Sequence, residues 1–199
     1  MSLRPRLVTP VLLLLVACTV RPTLPDYPLL QAPAVQAYVE QLLCRLNANC
    51  RWYPVLLVDR PEAQAELLPD GRLALHRGML QVTANEAELA FVLAHEVAHR
   101  ERQHRPTRSL AARLPLELEA DAEAQRRLCT LGYPADAGRR LLERLRPGTP
   151  GNAREAEALK QIDERLSVLG DCPRPDTTPV EPLLGEAAFA EMRASLRGP

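Results

Sequence analysis

The sequence lacks three features, and each absence argues against one class of protein. Lys+Arg and Asp+Glu each total 25 in 199 residues and no basic patch stands out, which argues against binding to nucleic acid. No Cys-x-x-Cys pair occurs, so a zinc site built from cysteines is not expected. The hydrophobic run over residues 8–17 has 10 residues, whereas a membrane-spanning helix needs about 20. With 46% hydrophobic residues, the chain can still bury a core of its own.

The N-terminal segment has the pattern of an export signal. Arg4 and Arg6 precede the short hydrophobic run, as in a secretory signal peptide. The sequence Leu-Val-Ala-Cys that ends at Cys18 also resembles a bacterial lipobox, which implies cleavage before Cys18 and lipidation of its thiol. An ordinary signal peptide with an incidental cysteine is the alternative. We expect residues 1–17 to be removed, leaving a periplasm-facing lipoprotein of the bacterial envelope. Because Thr19, and not an aspartate, follows Cys18, we expect the lipoprotein to be sorted to the outer membrane.

The mature chain would retain four other cysteines, Cys44, Cys50, Cys129 and Cys172. An even number of cysteines in an oxidising compartment suggests two disulfides. The most economical pairing joins Cys44 to Cys50 and Cys129 to Cys172. The sequence alone leaves the other two connectivities open, and also free buried thiols.

The chain divides into a signal peptide, a tether, one domain and a tail. Residues 18–33 form a proline-rich tether, residues 34–170 the domain, and residues 171–199 a proline-rich linker with a short C-terminal helix. Hydrophobic periodicity predicts a long helix capped by Asn85, and further helices over residues 34–48, 115–131, 135–145, 153–169 and 185–196. Strands are predicted at 54–59 and, around a Pro-Asp-Gly turn, at 64–68 and 72–76. The expected fold is α+β and mostly helical, with a small sheet before the long helix.

The long helix carries a metal-binding motif. Residues 95–99, His-Glu-Val-Ala-His, match the H-E-x-x-H pattern. Residues four apart lie on one face of a helix, so both imidazoles can reach one ion. Glu96 is about 100° round the helix from His95, which suits a general base beside the metal rather than a ligand. Incidental histidines on a solvated helix are the alternative, but the surrounding Ala, Leu and Val would bury the motif, and buried polar groups need partners.

The next helix offers a third ligand. A catalytic zinc usually has three protein ligands and an open position. Glu117 and Asp121 are four residues apart and share one face, whereas Glu119 is expected to point away from it. One carboxylate can bind the metal while the other accepts the ring N–H of a ligating histidine. We therefore assign Glu117 as the ligand and Asp121 as the residue that orients His95; a solvated helix face is the alternative.

These motifs resemble those of the HtpX, BepA and CAAX-prenyl-protease type of zinc metallopeptidases, which are gluzincins. Residues 68–80 are similar to the family's P-G-G-x-I-x-V-x-x-G-L-L block, and residues 88–99 to its E-L-A-x-V-L-A-H-E-I-A-H block. His104 matches a histidine that is frequent five residues after the second motif histidine. Residues 117–121 are similar to E-x-x-A-D, whose first glutamate is the zinc ligand. The resemblance implies a zincin-like metallopeptidase domain with one Zn²⁺ per chain, in a soluble periplasmic lipoprotein branch of the family.

Two details of such a site stay open at this point. Peptide hydrolysis needs an oxyanion donor, and His104, Tyr133 and an arginine near the cleft are all candidates. Residues 72–76 are either an edge strand to which an extended peptide adds, or an ordinary core strand of the hairpin.

The function expected from the sequence is a zinc metalloendopeptidase that acts on protein or peptide substrates, in quality control of periplasmic or outer-membrane proteins. The alternative is a chaperone-like or assembly lipoprotein that binds zinc and cleaves little. A purely structural zinc protein is disfavoured, because Glu96 is retained and the expected site has only three protein ligands. The oligomeric state does not follow from the sequence.

Overall fold

A computed structural model describes residues 27–105, 107, 109–172 and 184–196. The expected signal peptide and Cys18 lie outside these residues. The described residues form seven α-helices: α1 Pro33–Leu46, α2 Arg77–Val82, α3 Glu86–Glu101, α4 Leu110–Thr130, α5 Ala137–Leu145, α6 Ala153–Val168 and α7 Glu186–Ser195. They also form three strands: β1 Val55–Val58, β2 Ala65–Leu67 and β3 Leu73–His76. The expected mostly helical α+β class is confirmed.

The three strands form one sheet in the order β1-β3-β2. β3 pairs with β1 in parallel and with β2 in an antiparallel hairpin. Gly71 has φ +90° in the hairpin turn, a backbone conformation that residues other than glycine rarely adopt. Of the two alternatives for residues 72–76, the ordinary core strand is confirmed, because β3 pairs with a strand on each side and all four of its residues are buried. The two edge strands are β1, which also pairs with Leu29 through an isolated bridge, and β2.

Helix α3 is the centre of the domain. Thirteen of its sixteen residues, Glu86 to Ala98, are buried, and α1, α4, α5 and β2 all pack against it. The Asn85 side chain accepts a hydrogen bond from the Glu88 backbone N–H, which begins the helix as its sequence predicts. On α5, a Cβ at Gly138 would lie 2.5 Å from the Phe91 ring, so this close approach requires glycine. The motif histidines therefore lie on a rigidly packed helix.

Helix α4 begins five residues earlier than the sequence suggests. Pro115 was expected in the first turn, but the helix starts at Leu110 and Pro115 lies inside it. The Ser109 side chain accepts from the Ala112 backbone N–H and so supplies the N-cap. A proline inside a helix removes one backbone hydrogen bond and need not end the helix. The additional residues bring Arg113 to within one turn of Glu117.

Two disulfides reinforce the ends of the domain. Cys44, in the last turn of α1, bonds to Cys50, which follows that helix. Cys129, near the end of α4, bonds to Cys172, which follows α6. This is the pairing that the sequence favours.

The C-terminal helix α7 packs on the domain. Phe189 contacts the Tyr38 ring of α1 edge-on at a centroid distance of 6.1 Å. The Leu184 backbone N–H donates to the Glu86 carboxylate at 3.0 Å. The domain boundary expected at residue 170 stays a prediction, but α7 shares the core with α1. No helix among the described residues is long and apolar enough to cross a membrane.

Candidate metal centre

Helices α3 and α4 bring the three predicted ligands together. The Nε2 atoms of His95 and His99 lie 3.0 Å apart. Oε2 of Glu117 lies 3.3 Å from Nε2 of His95, and Oε1 lies 3.9 Å from Nε2 of His99. One donor atom from each of the three residues lies within 4.8 Å of the other two. This is a compact set of two imidazole nitrogens and one carboxylate.

His95 is held from behind by a buried carboxylate. Oδ1 of Asp121 lies 2.8 Å from Nδ1 of His95, as the sequence predicts, and the Asp121 side chain is fully buried. Arg165 of α6 holds that carboxylate in turn, donating from Nε at 2.7 Å and from Nη2 at 2.8 Å. Its Nη1 also lies 3.5 Å from Oε2 of Glu117. A cation from a third helix therefore fixes the two acidic residues nearest to His95.

His99 is held by a second histidine. Nδ1 of His104 lies 2.9 Å from Nδ1 of His99. Nε2 of His104 lies 3.1 Å from Oε2 of Glu119. Glu119 points away from the ligand face, as expected, and its carboxylate reaches His104 instead.

Glu96 is buried and lies on the wall of a cavity of about 920 Å³. The cavity also exposes His95, His99 and Glu117. One wall is the edge strand β2 with the loops beside it, and another is apolar and includes Leu141, Leu142 and Leu145 of α5. The arrangement gives an extended chain an open approach to the carboxylate of Glu96 and the imidazoles.

The electrostatic environment shifts the pKa values of the two motif histidines in opposite directions. Burial lowers the pKa of His95, but its contacts with Asp121 and Glu117 outweigh burial and raise it to about 9. Burial, together with the nearby charge of His95, lowers the pKa of His99 to about 4. Burial raises the pKa of Glu117, but His95 and Arg165 hold it well below its usual range. At neutral pH the metal-free protein therefore pairs a cationic His95 with an anionic Glu117, beside a neutral His99.

The two named candidates for the oxyanion donor have other partners. Tyr133 is buried away from the cavity lining, and its hydroxyl donates to Glu86 at 2.7 Å near the start of α3. The ring of His104 contacts the cavity, but both its nitrogens face His99 and Glu119. An arginine is the better candidate, because Arg113 lines the cavity with a 55% exposed side chain and has further guanidinium N–H groups beyond the Nε that donates to Glu117 at 3.0 Å.

Sequence reasoning gave no role to Arg165. Nothing in the sequence around Arg165 indicates which partner the arginine meets. The contact with Asp121 joins residues 44 positions apart and depends on how α6 packs against α4. The sequence of α6 contains two arginines, Arg154 and Arg165, and does not distinguish between them.

Comparisons with known proteins agree with this geometry. The model of peptidase family M48 matches residues 29–127, which include β1 to β3, α3 and most of α4. This chain belongs to peptidase family M48. The family resemblance expected from the motifs is thereby confirmed, while the lipoprotein branch stays a prediction.

Two curated relatives are similar over a shorter stretch. The beta-barrel assembly-enhancing protease of Yersinia pestis is 35% identical over 81 residues, and that of Escherichia coli K12 is 32% identical over 81 residues. In both cases the match covers 39% of this chain and 17% of the relative. The chain therefore spans about a sixth of these relatives' length.

Proposed function

We propose that the protein is a zinc-dependent metalloendopeptidase. The observation that carries this proposal is that the donor atoms of His95, His99 and Glu117 converge beside the buried carboxylate of Glu96 on the wall of an open cavity. Two imidazoles and one glutamate are a ligand set of catalytic zinc sites, which leave a further position open. In this proposal the three residues hold one Zn²⁺ per chain.

The donor set fits zinc in its hydrogen bonding as well as its composition. Asp121 and His104 occupy the Nδ1 atoms of the two motif histidines, so the Nε2 atoms remain for a metal. Metal-binding histidines usually donate their other ring N–H in this way. In the metal-free protein His95 carries a proton beside the anionic Glu117, so a zinc ion that binds there would replace that proton.

The chain's own residues then carry out the reaction. Zinc, when bound, supplies a Lewis acid that makes water more acidic and polarises the scissile carbonyl. Glu96 takes a proton from the attacking water and passes it to the leaving amine nitrogen. Burial raises the pKa of the Glu96 carboxyl, which makes its carboxylate a stronger base. Arg113 is our candidate for the donor that stabilises the developing oxyanion.

The substrate is an extended segment of polypeptide. β2 is an edge strand of the sheet and lines the cavity, so an unfolded chain can add to it as a further strand. The apolar wall from α5 favours hydrophobic side chains. The relatives' name and the expected lipid anchor at Cys18 together support envelope proteins, periplasmic or outer-membrane, as the substrates, and quality control as the role.

The test is metal analysis of the mature protein combined with cleavage of casein by the wild type and by Glu96→Gln. The amide is nearly isosteric with the carboxylate but cannot accept the proton. We expect about one zinc in each protein and about 10²–10⁴-fold less cleavage by the variant. Equal activity would show that Glu96 is not the base. Zinc in both proteins without cleavage by either would favour the chaperone-like alternative.

A further inference from the structure

His104 reaches His99 through an unusual turn. α3 ends at Glu101, and Gln103 has φ 56°, the left-handed conformation that is uncommon outside glycine. The turn lets the His104 backbone N–H donate to the His99 carbonyl at 2.8 Å. The two rings then meet edge-on with their centroids 5.0 Å apart, and only 6% of the His104 side chain is exposed. The backbone and the ring of His104 thus both contact the same ligand candidate.

The contacts of His104 determine where the hydrogens lie. A carboxylate only accepts hydrogen bonds, so Nε2 of His104 donates to Glu119. In a neutral ring this leaves a lone pair on Nδ1, which faces Nδ1 of His99 at 2.9 Å. His99 must therefore donate from Nδ1, and the lone pair of its Nε2 faces the ligand cluster. Glu119 selects the tautomer of His99 through the intervening ring.

We propose that His104 and Glu119 are positioning residues, which hold His99 in the tautomer and ring orientation that a metal requires. This inference rests on the proposed function, because it assigns these residues to the same metal site. Asp121 achieves the same result for His95 by direct contact at 2.8 Å. On the side of His99 the carboxylate is that of Glu119, which is 46% exposed. It acts on His99 through the ring of His104.

The test compares zinc affinity in three proteins by competition with a chromophoric chelator. His104→Phe keeps an aromatic ring but removes both hydrogen bonds, and we expect about 10-fold weaker zinc binding. In His104→Gln the amide oxygen can accept from His99 while the amide N–H donates to Glu119, so this variant should recover most of the affinity. The visible spectrum of Co²⁺-loaded protein should change in His104→Phe and resemble the wild type in His104→Gln.

A matched pair of surface variants separates this role from loss of an ion pair. Arg102 contacts Glu119 at 3.3 Å, so Glu119→Ala and Arg102→Ala both remove that contact. Only Glu119→Ala also removes the partner of His104. We expect Glu119→Ala to weaken zinc binding and Arg102→Ala to leave it unchanged.

Long-range ¹H–¹⁵N spectra of the metal-free wild type at neutral pH provide a measurement that needs no metal. They should show the hydrogen of His99 on Nδ1, and a hydrogen on Nε2 would overturn the proposal. Equal zinc affinity of His104→Phe and a zinc-binding, casein-cleaving wild type would overturn it while leaving the proposed function intact. A wild type that binds no zinc would overturn the proposed function and this inference together.

Discussion

His95 and His99 lie one turn apart on the same helix, but they are supported in different surroundings. Behind His95 stand the fully buried Asp121 and then Arg165, whose side chain is 19% exposed. Behind His99 stand the buried ring of His104 and then Glu119, which is 46% exposed. Asp121 and Arg165 form an inner support that connects the site to α6 and the core. His104 and Glu119 form an outer support that ends at the solvent.

This difference has energetic consequences. A buried ion pair is costly to break, because the remaining charge is left without a partner away from water. An exposed ion pair is screened and contributes little to the stability of the fold. We therefore expect changes in the inner support to affect both folding and metal binding, and changes in the outer support to affect metal binding alone.

The largest effect is expected from Asp121→Asn. The change leaves the Arg165 guanidinium without its closest carboxylate, so the free energy of unfolding should fall by about 3 kcal/mol, at the low end for a broken buried pair because Glu117 remains nearby. Zinc affinity should fall about 10–100-fold, since the partner of His95 loses its negative charge. Urea denaturation and chelator competition measure the two effects. Glu119→Gln is the matched control, and an equal loss of folding stability in both variants would contradict the comparison.

The disulfides offer a second way to test the inner support. Cys129–Cys172 encloses α5 and α6, and so fastens the helix that carries Arg165 to the end of α4. With a sequence separation of 43 residues, its loss should cost about 4 kcal/mol in the chain-entropy account, against about 2 kcal/mol for Cys44–Cys50 with a separation of 6. Paired Cys→Ser variants, compared by denaturation without reductant, measure the difference.

Peptide mapping without reduction, on protein exported to an oxidising compartment, must first show that both bonds form. Four alkylatable thiols in the mature protein would contradict the pairing. Equal losses from the two pairs of variants would contradict the larger contribution expected of the longer loop.

The third effect is a change in pH dependence of the metal-free protein. His95 has a folded pKa of about 9, above its ordinary value of 6.5, so its contribution is fully present below pH 6.5 and is lost as pH rises through about 9. His99 has a folded pKa of about 4, so stability is lost as pH falls from 6.5 towards that value. His95→Gln should therefore flatten the alkaline side of the urea-midpoint profile, and His99→Gln the acid side. The opposite assignment would contradict the charge states inferred here.

The sequence predicts what local spacing determines. The four-residue spacings of His95 with His99 and of Glu117 with Asp121 put each pair on one face of its helix, and the structure has both pairs facing each other. The Pro-Asp-Gly turn likewise indicates the hairpin of β2 and β3. These features depend on helical or strand periodicity and need no knowledge of how distant segments pack.

Features that depend on tertiary packing could not be predicted. The contact between Arg165 and Asp121 depends on the position of α6, and the central place of β3 depends on its pairing with β1. The contact of Glu119 with His104 was not predicted, because Glu119 lies off the helix face that carries Glu117 and Asp121. The turn at Gln103 brings His104 round to that other face, and no helical pattern indicates such a turn.

The most direct test of the metal site is the zinc content of two variants that differ by two positions on α4. In this account Glu117→Gln removes a ligand, whereas Glu119→Gln affects only the outer support of His99. After dialysis against buffer with trace zinc, we expect about one zinc per chain in the wild type and in Glu119→Gln, and little in Glu117→Gln. Full zinc in Glu117→Gln together with loss of zinc from Glu119→Gln would contradict the assignment of the metal centre.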